Sequence, residues 1–230
     1  MRALNALGVV VVLALAAPHA EASKPVKQTL KGCVADKVFF SIDGTRAYRI
    51  SLPEAFDVAA FEGQGISISG LLYPGDRFEP DEGVKPTLTT KTCPVPAMRA
   101  IKNDFVVRLR IDAQKLAEGG DFVQAHVLID KAFAMLTPPA CDSFSDRAEI
   151  LAREGDTKGV SKDLAVIRAR KQCYVAGKVN PLLVEDVGKV LLAKGEKKLA
   201  VEALELANKV CDGNWCREDI KKELAEAKKP

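Results

Sequence analysis

"AEGGDFVQAHVLIDKAFAMLTPP", residues 117–139, holds a turn, an amphipathic run and a double proline. Gly120 can take the left-handed conformation that ends a helix, and Asp121 supplies the acid that starts another. Ala125, Ile129 and Ala132 then recur at helical spacing, and Pro138-Pro139 stops the helix. The same pattern returns twice. "LAEGGDF" (116–122), "LAREGDT" (151–157) and "LLAKGEK" (191–197) place Gly120, Gly155 and Gly195 at steps of thirty-five and forty residues, each before an acid.

The flanks of these glycines agree as well. Seven and four residues upstream stand Ala113 and Leu116, Ala148 and Leu151, Gly188 and Leu191. Five, nine and twelve residues downstream stand Ala125, Ile129 and Ala132; Val160, Leu164 and Ile167; Ala200, Leu204 and Ala207. Small residues let two helix axes approach, and larger apolar ones fill the space beside the crossing. Leu109, Phe144 and Val184 each precede a glycine by eleven residues. The chain from residue 97 to 230 therefore resembles the tetratricopeptide repeat (TPR), a helix hairpin of about thirty-four residues. The resemblance implies an α-solenoid of about three hairpins, closed by a capping helix over 217–229, where Ile220, Leu224 and Ala227 form one stripe. It departs from the family at Asp112 and Arg147, where a bulky apolar residue is usual, and at Val160, where alanine is usual. The closing proline is displaced to Pro138 in the first copy and missing from the others.

From residue 26 to 96 the texture changes. Five β-rich runs, 28–34, 37–42, 47–52, 65–72 and 86–92, are separated by turn signals at Asp43-Gly44, Glu62-Gly63, Pro74-Gly75 and Glu82-Gly83. Tyr48, Ile50 and Leu52 alternate with Arg49 and Ser51, as Ile66 and Ile68 do with Ser67 and Ser69, so each strand buries one face. Phe56, Ala59, Ala60 and Phe61 lie at helical spacing between the third and fourth runs. Strand order and the "GISISG" run (65–70) resemble small exported bacterial OB-fold-like domains, with an SH3-like barrel as the alternative. The expected fold class is thus α+β and multidomain: a five-stranded OB-like β-barrel over 26–96, then the TPR-like helical repeats over 97–230. "CPVPAM" (93–98) is the joint. An OB-fold binds on its second and third strands, where Phe39, Arg46 and Arg49 stand. The simpler reading makes Phe39 core and both arginines solvated. The acidic stretch 73–83 lacks the spacing of a calcium loop and reads as a solvated loop.

Residues 1–22 read as a signal peptide: Met1-Arg2, the apolar run 6–17, then "AEA" at 20–22. Twelve apolar residues are too few to span a bilayer, which takes about twenty. The expectation is a periplasmic or secreted protein, not membrane-spanning once the leader is cleaved. Six cysteines, Cys33, Cys93, Cys141, Cys173, Cys211 and Cys216, fit an oxidising compartment and leave about fifteen pairings open. The two resemblances imply one of these. First and last strands pair in an OB barrel, which would join Cys33 to Cys93. The ends of an antiparallel hairpin would join Cys141 to Cys173, and a helix-to-helix turn would join Cys211 to Cys216.

Chemistry is scarce. Net charge is +3, without the basic excess that nucleic-acid binding needs. Past the leader the sole histidine is His126, on a helix surface, and no G-x-S-x-G, P-loop, G-x-G-x-x-G or H-E-x-x-H occurs. The expectation is a non-enzymatic scaffold without cofactor or metal, engaging a protein or peptide partner in the cell envelope. Glycan or small-ligand binding through the OB-like half is the alternative. The TPR resemblance assigns the concave groove to Arg110 and Gln114, Ser145 and Glu149, Glu185 and Lys189, as an exposed surface of mixed charge. The family's carboxylate clamp has asparagine where Gln114, Glu149 and Lys189 stand, so that specificity does not transfer.

Overall fold

A computed structural model describes residues 24–44, 46–173 and 179–229; the leader expected at 1–22 lies outside them. The first half is an antiparallel sheet of β1 (Val26–Ala35), β2 (Val38–Asp43), β3 (Arg46–Arg49), β4 (Gly65–Tyr73), β5 (Arg77–Pro80) and β6 (Thr87–Thr90). The order is β3-β2-β1-β4-β5, with β6 also on β4. The sheet has six strands and is not closed, which corrects the five-stranded barrel. Among the described residues only an isolated parallel bridge, Ser51 to Arg77, joins the β3 side to β5. The edge runs out because β3 has four residues and Pro53, lacking an N–H, follows soon after.

The additional strand is β5. Gly75 and Asp76 take φ of 80° and 59°, so three residues reverse the chain and set Leu72 opposite Phe78. Phe78 is wholly buried, which corrects the solvated-loop reading of 73–83. The helix expected between the third and fourth runs is a single 3₁₀ turn, Ala59–Phe61. Alternation holds at Ile50, Ile66 and Ile68, all buried, and fails at Tyr48, which is exposed on the edge strand β3.

The sheet has two apolar faces. One gathers Leu30, Val34, Phe39, Ile66, Ile68 and Phe78. The other, with Cys33, Ala35 and Phe40, packs on Ala97 and Ile101 of the first helix. Phe40 meets Phe105 edge to face at 5.6 Å, so that helix belongs to the sheet's core before it belongs to the helical half.

Among the described residues seven helices follow: α1 (Val95–Glu118), α2 (Phe122–Met135), α3 (Cys141–Glu154), α4 (Thr157–Ala169), α5 (Pro181–Ala193), α6 (Lys197–Val210) and α7 (Asn214–Ala227). α1 packs on α2, α3 on α4 and α5 on α6, while α3 also touches α1 and α5, and α7 rests on α6. The turns are built alike. Gly120, Gly155 and Gly195 have φ of 84°, 98° and 81°, and the Asp121 and Asp156 carboxylates accept hydrogen bonds from the N–H groups of Gln124 and Gly159. Ala113, Ala148 and Gly188 are buried at the crossings, as are Ala125, Val160 and Ala200 opposite them. A Cβ on Gly188 would lie 2.7 Å from Leu204 Cγ, so α5 and α6 approach to near backbone contact there.

Disulfides join Cys33 to Cys93, Cys141 to Cys173 and Cys211 to Cys216, at Cα separations of 5.8, 5.4 and 6.1 Å. The first pairing arises differently from the barrel argument. β1 and β6 do not pair with each other; both flank β4, and Gly65 is the partner of Cys33 on one side and Thr90 on the other. These three bonds fit a non-reducing environment. No helix among the described residues is long and apolar enough to cross a membrane.

Candidate functional site

A cluster of charged residues forms where α1, α3 and α5 lie side by side. On α3, Asp142, Asp146, Glu149 and Arg153 succeed one another at helical spacing and form one stripe. Arg110 of α1 donates from Nε to Asp146 and lies 3.6 Å from Asp142. Gln114, one turn on, donates to Asp146 Oδ1 at 3.0 Å and to Glu149 Oε2 at 2.8 Å. Arg153 holds the other Glu149 oxygen through Nε at 2.9 Å and Nη2 at 2.7 Å, and reaches Glu118 at 3.5 Å. On α5, Lys189 pairs with Glu185 at 2.6 Å and with Asp186 at 3.8 Å.

The inner part of this network is sealed from water. Ser145, Glu185 and Glu149 are 0%, 2% and 4% exposed, and Arg110 is 9% exposed. Four of the six expected groove residues are therefore interior, which corrects the exposed mixed-charge surface. The cause is the stacking of α1, α3 and α5: each helix covers part of its neighbour's inner stripe. Gln114, Glu149 and Lys189 do line a cleft of about 370 Å³, together with Glu118, Arg153 and Asp186. Arg110, Ser145 and Glu185 are not part of its lining. The Ser145 hydroxyl and one Glu185 oxygen are buried without a hydrogen-bond partner among the described residues.

Burial governs the protonation of this cluster. It pushes the Asp146 carboxyl up to about 6, against the opposing pull of Arg110, with Asp142 and Glu149 adding to the rise. Burial also raises Asp186, against the pull of Lys189, with Glu185 adding to the rise. Lys189 is raised in turn by its hydrogen bond to Glu185.

Residue spacing missed Asp142, Asp146 and Arg153, although their stripe on α3 was visible. It also missed the partner of Arg147, one of the departures from the repeat pattern. Arg147 makes two hydrogen bonds to Asp163 of α4, at 2.8 and 2.7 Å. Its guanidinium lies 4.2 Å from the Phe133 ring centroid. Arg147 thus clamps the two helices of the second hairpin together through polar contacts. His126 sits on the surface, its Nε2 at 2.8 Å from Glu154.

In the sheet, Phe39 is buried, whereas Arg46 and Arg49 are exposed on β3. The stacking platform considered for Phe39 is absent because its ring fills the core. Two of the four acids of the 73–83 segment have partners: Glu79 accepts from Tyr73 Oη at 2.6 Å and from Arg77 at 2.9 Å, and Asp81 pairs with Lys27 at 3.4 Å. No protein-family model matches the chain, and no curated protein matches it.

Proposed function

We propose that this is a non-enzymatic exported protein, periplasmic or secreted, whose helical half is a TPR-like array holding a protein or peptide segment. The observation that carries the reading is the cleft in which Gln114 of the first hairpin, Glu149 of the second and Lys189 of the third stand together. Successive repeats of a solenoid offer equivalent positions to one extended partner in this way. Three carboxylates, Glu118, Glu149 and Asp186, face two cations, Arg153 and Lys189, in the lining. The partner that suits it is polar, with a modest excess of basic side chains. Three disulfides support export. The glycan reading loses its aromatic platform with Phe39 in the core.

The test uses the exposed rim, because the buried members of the network hold the helices together. Glu118 and Asp186 have side chains 57% and 47% exposed. Replacing both by lysine should reduce partner capture from an envelope extract at least tenfold, while stability changes by under about 0.5 kcal/mol for each exposed site. Undiminished capture by this double variant would remove the cleft from the binding surface.

A further inference from the structure

A second concavity lies where the sheet meets the helices, apart from the cleft above. Its volume is about 600 Å³, in the range of sites that hold small organic ligands. One wall is a stripe of α1, with Val95, Met98, Arg99 and Lys102 at helical spacing; the other is the end of α2 and the segment after it, with Met135, Leu136 and Pro138.

Three features of this cleft point the same way. Apolar surface is left facing water: Val95 is 82% exposed, and Met98, Met135 and Leu136 are only half-buried. The charge there is of one sign. No carboxylate lines the cleft, and among the described residues neither Arg99 nor Lys102 has an ion-pair partner. Both methionines beyond Met1, Met98 and Met135, line it. An unbranched, polarisable thioether adapts to ligands of irregular shape.

We infer that this cleft binds a small organic anion with an apolar tail. The anionic group pairs with Arg99 and Lys102, and the tail lies between Met98, Met135 and Leu136. A cation would find no counter-charge in this lining, and a neutral apolar molecule would leave both cations unused.

The two methionines also supply the readout. In the full chain labelled with ¹³C at the methionine methyl groups, Met98→Leu and Met135→Leu variants assign the two cleft signals. Octanoate should move both to saturation, and octan-1-ol should need a concentration about tenfold higher, the contribution expected of two partly screened charges. Arg99→Gln combined with Lys102→Gln should abolish that preference while leaving the alcohol's binding and the melting temperature unchanged. Signals that ignore octanoate, or that answer both probes equally, would overturn the inference. So would a peptide with an apolar C-terminal residue and free carboxylate that moves both signals at lower concentration than octanoate, since the cleft would then belong to a protein segment.

Discussion

At the scale of single residues the polar interior of the helical half matters most. Asp146 is 1% exposed and held by Arg110 and Gln114, so its ionised form has lost its hydration for a small set of fixed donors. With its carboxyl raised from 3.8 to about 6, the folded state takes up this proton more readily than the unfolded chain. The resulting stabilisation is fully present below about pH 4 and is lost as pH rises through about 6. Replacing Asp146 by asparagine removes this titration. The stability of the native chain relative to Asp146→Asn should therefore fall by on the order of 2 kcal/mol between pH 4 and pH 7. Denaturant unfolding of both proteins across that range measures the difference, and parallel curves would refute the assignment.

At the scale of elements the hairpin is the recurring device, and its tightest instance is the α5–α6 crossing. Gly188→Ala offers a better helix former, worth about 1 kcal/mol, but puts a methyl against Leu204, which is fully buried and already in contact. Overpacking of this kind costs about 1–3 kcal/mol, so the variant should melt at lower temperature by calorimetry. An unchanged or higher melting temperature would show that the crossing has room. The crossing, the turns at Gly120, Gly155 and Gly195 and the apolar register were all legible in the sequence, because each depends on local conformation and on spacing within one hairpin. β5 was not, since one phenylalanine among acids shows no alternation until Gly75 and Asp76 turn it back onto β4. The open edge at β3 was not, since sheet closure depends on strands far apart in sequence. The site was legible only by side. The repeat resemblance implied that Arg110, Gln114 and Glu149 lie on the inner faces of their helices, but only the neighbouring helices decide which of them water reaches.

At the scale of the whole molecule the joint at 93–98 is no free linker. Ala97 and Ile101 lie in one cluster with Cys33, Ala35 and Phe40, so cutting after Pro96 bares an apolar face of the sheet. Burying one large apolar side chain contributes roughly 1.5–3 kcal/mol, a large share of what a small sheet can spare. A piece covering 24–96 should accordingly melt without a cooperative transition, whereas 24–108, which keeps Phe105 over Phe40, should unfold cooperatively by circular dichroism. Cooperative melting of the shorter piece would establish the sheet as self-sufficient.

The length of α1 carries this further. Twenty-four residues make a rod about 36 Å long; its first turns are fastened to the sheet, and its later turns form the first wall of the helical array. A rod shared by two bodies fixes their orientation before anything binds. A partner long enough to touch both would meet them already aligned, so its second contact would form without the ordering cost that a flexible tether imposes.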